Sequence, residues 1–179
     1  MMSFARNTPL LPGESVMSWV ARIARDETGV GPFEFLNLIE LSRKDVLEAT
    51  RECLGRLSEL TGVRSARIGE GAYLREGEQF YSHRGHTFHA EFVGRERTTY
   101  CPGCLLDDRM ADGPSRGRRI GRVNWQFGPV RTCRIHRMPL VRTMSAVYAD
   151  RFQDMERVAP NDERLLRSSR PHSLARSTR

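Results

Sequence analysis

Cys101, Cys104, Cys133 and His136 constrain this chain more than any other residues. They read C-P-G-C, then a spacer from Leu105 to Thr132, then C-R-I-H. Two ligand pairs at this spacing fit a structural zinc site. Each pair can wrap a tight turn that aims both of its ligands at one metal. Pro102 presets φ for such a turn, and Gly103 tolerates the left-handed region. Three thiolates and one imidazole complete a tetrahedron and leave no position for a reacting water. The pattern therefore predicts one structural Zn²⁺ ion that staples the fold, and it argues against zinc catalysis. The competing reading is four unrelated polar residues; Cys53 is the only cysteine outside the motif.

A staple suits a chain of this size. With 179 residues it can form one domain or two small ones. Hydrophobic residues reach 39%, yet 28% are charged and the mean hydropathy is −0.53. A metal helps most where a subdomain is too small to bury a large core. Met1–Pro12 lacks a basic region followed by an apolar run, and no apolar stretch approaches the ~20 residues that span a bilayer. These features predict a cytoplasmic protein with no membrane association, in a compartment where CxxC thiols stay reduced.

Charge is unevenly distributed. The net charge is +7, but residues 1–62 sum to −2 while residues 113–149 sum to +8 without a single acid. The segment containing the second ligand pair is thus the basic one. Arg116, Arg118, Arg119, Arg122, Arg131, Arg134 and Arg137 are candidates for gripping phosphate oxygens, whose geometry the guanidinium fork matches. A solvated basic face or an acidic protein partner is the alternative. Lys44 is the only lysine beside 28 arginines, a bias that a GC-rich genome would also produce.

Periodicity predicts a helix from about Ser15 to Glu27, with Val16, Trp19, Val20, Ile23 and Ala24 on one stripe and Gly29 as its stop. Pro32 marks a second helix start, and Ser42 to Asp45 a capped third. Val46, Leu47, Thr50, Cys53, Leu54, Leu57 and Leu60 continue at helical spacing, with Cys53 in the core. Leu57 to Ile68 has the pattern of a helix-turn-helix: a helix ending at Gly62, then Ser65 capping a second helix with Arg64 and Arg67 near its start. DNA contact and plain helical packing both fit that pattern. Gly69 to Gly85 reads as a polar loop. His83, His86 and His89 could form a second metal site, but a loop entering a strand at Thr87–Val93 fits better. Asp107–Arg122 reads as a loop, and Val123–Val130 as a strand with Trp125 packed over the zinc region. From Ala159 the chain is arginine-rich, and residues 168–179 are expected to be disordered.

The fold class expected is mainly α with a small zinc-stapled α+β module: an N-terminal helix-turn-helix-like helical region followed by a zinc-finger or ribbon-like region. The expected organisation is residues 1–75 as the helical region, 76–150 as the basic zinc module, and 151–179 as a short helix and tail.

Four segments carry a resemblance. Pro9–Ala24 (P-L-L-P-G-E-S-V-M-S-W-V-A-R-I-A), Arg56–Val63 (R-L-S-E-L-T-G-V), Tyr100–Asp108 (Y-C-P-G-C-L-L-D-D) and Val123–Leu140 together resemble the TniQ family. The resemblance implies a transposition accessory protein that binds target DNA or a guide-RNA effector and engages an AAA+ ATPase, which recruits the transposase. It carries Cys101, Cys104, Cys133 and His136 over as zinc ligands and no individual DNA contact. The leading expectation is therefore a nonenzymatic DNA-associated adaptor without a small-molecule substrate. The alternative is a helix-turn-helix and zinc transcription regulator. An HNH-type nuclease is disfavoured, because zinc already claims His136 and no acid lies between Gly113 and Ala149.

Overall fold

The computed structural model describes residues 8–94, 97–111, 118–143 and 151–169. Its organising element is α1 (Val16–Ile23). Ser15 holds an extended backbone, and its hydroxyl accepts from the Ser18 N–H, capping the helix. Trp19, Val20 and Ile23 are fully buried at the centre of a cluster with Phe35, Leu36, Val46, Cys53, Leu57 and Ile68. A π-turn over Ala24–Thr28 ends at Gly29, which takes φ 73° as the sequence predicts. The helix α2 (Pro32–Leu38) starts on its proline, and α3 (Arg43–Glu48) carries the reciprocal Ser42–Asp45 capping box.

The chain then departs from its apolar periodicity. Helical spacing suggests a continuous helix through Val46–Leu60, but Ala49 adopts φ 46° and Thr50 caps a new helix, α4 (Arg51–Thr61), accepting from Cys53 N–H at 3.2 Å. A threonine hydroxyl that bonds local backbone competes with helix continuation. Gly62, at φ 73°, turns the chain into α5 (Ser65–Gly69). Ser65 is the first helical residue; Arg64 occupies the cap position, and no side chain caps the helix. At five residues α5 is under two turns, and this stretch does not establish a helix-turn-helix.

The stretch read as a polar loop contains β1 (Leu74–Arg75) and β2 (Phe80–His83), and β3 (His86–His89) completes an antiparallel sheet in that order. These strands are two to four residues long and bury only Tyr81, so they show no apolar alternation. A 3-10 turn, Ala90–Phe92, replaces the rest of the strand expected to Val93. The strand expected at Val123–Val130 is likewise a 3-10 turn over Val123–Gln126, with Phe127 bridging only Val93. Val123 and Trp125 are both buried, and one tight turn achieves that as well as a strand. A second, two-stranded sheet pairs β4 (Thr99–Tyr100) with β5 (Val141–Arg142). The helix α6 (Pro102–Met110) follows β4, and α7 (Met155–Val158) and α8 (Asp162–Ser169) close the described chain. Residues 168 and 169, expected to be disordered, lie in α8; residues 170–179 fall outside the described residues.

The N-terminus of α1 joins the helical layer to the rest. Val16 N–H donates to the Gly71 carbonyl at 2.9 Å, and Ser15 N–H to the Gly121 carbonyl at 2.7 Å. Gly121 N–H returns to Ser18 Oγ at 2.8 Å, and Val123 N–H to Gly13 at 3.0 Å. This satisfies amide groups that a helix end otherwise leaves unpaired. Gly121 makes a close approach: a Cβ there would lie 2.6 Å from the Met155 methyl and 2.7 Å from Gln153 Oε1, so those side-chain ends would have to move.

One polar ladder runs along the same helix. Glu14, Ser18 and Arg22 fall four residues apart, all buried. The Glu14 carboxylate takes Arg22 Nε at 2.7 Å and Nη2 at 2.8 Å, Ser18 Oγ at 3.3 Å and Leu11 N–H at 3.1 Å. Arg22 also donates to the Pro9 carbonyl at 2.7 Å. Burial pushes the Glu14 carboxyl above its ordinary value, with Arg22 opposing that shift. Removing one member strands a buried charge. We expect Glu14→Ala to cost about 3–5 kcal/mol of stability, measured by denaturant unfolding; a loss under about 1 kcal/mol would show that the ladder is not structurally required.

Candidate metal centre

Each ligand pair is built from its own short element. Cys101 follows β4 with extended backbone and occupies the N-cap position of α6, while Pro102 opens the helix and Cys104 falls in its first turn. Leu105 N–H donates to the Cys101 carbonyl at 3.1 Å, which closes the turn. The second pair sits on a narrow loop. Cys133 N–H donates to the Met138 carbonyl and Arg137 N–H to the Cys133 carbonyl, both at 2.8 Å. Arg137 takes φ 52° to leave the loop, and His136 N–H points at Cys133 Sγ at 3.5 Å. The β4–β5 pairing, Tyr100 opposite Val141, brings the two arms together.

The four donors converge within 4.8 Å of one another. Cys104 Sγ lies 3.5 Å from Cys133 Sγ and 3.4 Å from His136 Nδ1. Cys101 and Cys133 each lie 3.7 Å from that nitrogen. A tetrahedron with metal–sulfur bonds of ~2.3 Å and a metal–nitrogen bond of ~2.0 Å has edges of roughly 3.5–3.8 Å. The donor set therefore fits a four-coordinate metal. All three cysteines are buried and His136 is partly exposed. The Cys101 thiol is pulled down to about 5, first by the Cys104 hydrogen bond and further by Cys133 and His136; Cys104 is pushed up, first by its bond to Cys101 and then by burial.

Three neighbours complete the site. Gly103 packs under the imidazole, where a Cβ would fall 2.4 Å from the His136 ring. Asp107 Oδ2 lies 3.0 Å from His136 Nε2, orienting the ring so that Nδ1 faces the thiols. Asp108, the next residue, turns the other way: it takes Arg122 at 2.7 and 3.2 Å and Ile120 N–H at 3.1 Å. Arg122 in turn covers the Trp125 ring at 4.9 Å. Trp125 is buried with Tyr100, Leu105, Met155 and Leu165 beside the cysteines, as the sequence predicts. The sequence assigns neither aspartate a role and reads the chain from Asp107 as a loop, whereas α6 continues to Met110 and places them three and four residues after Cys104.

The candidate nucleic-acid arginines do not share one surface. Arg131, Arg134 and Arg137 are exposed on or beside the second ligand loop. Arg118 pairs with Asp26 at 3.3 Å. Arg119 is 3% exposed; it pairs with Asp162 and donates to the Pro160 carbonyl at 2.9 Å. Arg122 is held inward by Asp108. Arg64 is exposed at the start of α5, Arg67 pairs with Glu70, and Arg116 lies outside the described residues. His83, His86 and His89 belong to the β2–β3 hairpin; His83 Nδ1 contacts the Ala72 carbonyl at 2.8 Å and His89 lies 3.7 Å from Glu91. Among the described residues they join no metal-binding group. No described helix is long and apolar enough to cross a membrane.

A family model described as TniQ matches residues 6–140, about three quarters of the chain. No curated protein gives a match. We expect Asp107→Asn to lower metal affinity about 10–100-fold by freeing the imidazole, read by chelator competition; unchanged affinity would remove Asp107 from the site.

Proposed function

We propose a function from one premise: the chain belongs to the TniQ family, a family of transposition-associated accessory proteins. On this reading it is a nonenzymatic DNA-associated adaptor that links a target to an AAA+ ATPase and, through it, to a transposase. The observation that carries the proposal is the family match running unbroken across both the α1 region and the metal centre.

The metal we assign to the site is Zn²⁺, whose preference for thiolate and imidazole suits this donor set. Cys101, Cys104, Cys133 and His136 would hold it, and its contribution is structural. What the chain itself supplies is a rigid loop presenting Arg134 and Arg137 to solvent, together with an N-terminal layer of the opposite charge balance for a protein partner. The short, uncapped α5 weighs against the transcription-regulator alternative. Nuclease chemistry finds little support, because His136 is committed to the cysteines and Asp107.

The test pairs two readouts on the purified chain. Immobilised protein should retain the AAA+ ATPase of its own transposition system, and it should bind duplex DNA in a salt-dependent way. Arg134→Glu with Arg137→Glu should weaken DNA binding and flatten the salt slope by about two. Failure to retain the ATPase under any nucleotide condition would contradict the adaptor reading, and an unchanged slope would exclude the loop from DNA contact.

A further inference from the structure

A second basic feature lies apart from the ligand loop's outer face. Arg97, Arg131 and Arg142 line one groove of about 830 Å³, together with Phe92 and Glu91. Backbone pairing gathers the three guanidinium groups. Arg142 sits opposite Thr99 in the β4–β5 ladder and donates to the Gly128 carbonyl at 3.0 Å. Leu140 N–H donates to the Arg131 carbonyl at 2.8 Å. Two further bonds, Gly94 N–H to Gln126 and Gly128 N–H to Phe92, both at 2.6 Å, tie the walls together.

Among the described residues Glu91 is the one acid in the lining, and its near neighbour is His89. Arg97 and Arg131 make no ion pair among the described residues. The Arg142 guanidinium is pushed below its ordinary value, first by burial and then by Arg131 and Arg97. Like charges held together by backbone repel, and an anion in the groove would relieve that repulsion. Phe92 adds a second kind of contact. It is 39% exposed, and its ring rests 6.1 Å from Phe127, which packs edge-on against Phe88 at 5.0 Å. A braced, open aromatic beside arginine forks is the combination that holds a single strand by stacking and phosphate contact.

We propose that this groove binds the phosphodiester backbone of a single-stranded nucleic acid, with one base resting on Phe92. The inference rests on the DNA-associated reading above and adds Arg97, Arg142 and Phe92 to it. A duplex fits less well, since its bases are already stacked and the groove has the volume of a small-ligand cleft. An acidic peptide would satisfy the arginines and leave Phe92 without a use.

Fluorescence anisotropy on the metal-loaded full chain tests this with oligothymidylate, a duplex of equal length, and poly-glutamate as competitor. Arg97→Gln, Arg131→Gln and Arg142→Gln together should lower oligothymidylate affinity at least about tenfold and reduce the salt slope by about two, at ~0.7 per lost phosphate contact. Phe92→Ala leaves the charge intact and should weaken binding about tenfold with the slope unchanged; it keeps the test decisive if the triple variant misfolds. Wild-type binding that both variants retain in full would overturn the groove and leave DNA association standing. A wild-type chain that binds neither strand nor duplex would overturn both readings. Displacement by poly-glutamate at equal charge concentration would reassign the groove to an acidic protein segment and overturn the nucleic-acid proposal.

Discussion

The convergence of four donors from two distant arms is the constraint on which the second half of this fold depends. The sheet behind the site pairs only two residues on each side. The apolar cluster around it contains three of the ligand cysteines themselves, with Tyr100, Leu105, Trp125, Met155 and Leu165. So small a core has little burial to set against chain entropy. Where ligands form part of the core, metal-binding free energy is folding free energy. The same closure explains Gly103, which must lack a Cβ for the His136 ring to approach, and Asp107, which fixes which nitrogen faces the thiols.

A second clasp ties that half to the helices. Gly121 sits between Ser15 and Ser18, and the segment around it runs beside Gly13–Ser15. The N-terminal motif therefore serves the junction as much as its own helix. Arg25 adds an ion pair to Asp154 at 2.8 Å, bringing the α7 region into the same assembly. Arginines that make the middle of the chain strongly basic are partly spent inside it: Arg119 holds the start of α8 and Arg122 braces α6 over Trp125. Among the described arginines of that stretch, the exposed ones are Arg131, Arg134 and Arg137 on or beside the ligand loop and Arg142 at the groove.

Features with local causes were legible in the sequence. The ligand quartet, the Gly29 stop, the Ser42–Asp45 capping box and the burial of Trp125 each follow from a short pattern with one physical meaning. Features decided by competition or by distant partners were not. Apolar spacing through Val46–Leu60 does not reveal that the Thr50 hydroxyl would cap a new helix. The β2 and β3 strands bury only Tyr81 and show no apolar alternation. Val123 and Trp125 alternate like a strand yet are buried by a 3-10 turn. The Glu14–Arg22 pair, the split roles of Asp107 and Asp108, and the meeting of Arg97 with Arg142 all depend on tertiary geometry.

X-ray absorption spectroscopy at the zinc edge, on protein purified without added metal and assayed for metal content, tests the central claim most directly. The expected result is one zinc per chain with three sulfur scatterers at ~2.3 Å and one nitrogen at ~2.0 Å, and loss of that signal in Cys133→Ser together with the cooperative unfolding of the surrounding half. Oxygen-dominated coordination, or a metal-free chain that unfolds with full cooperativity, would contradict it.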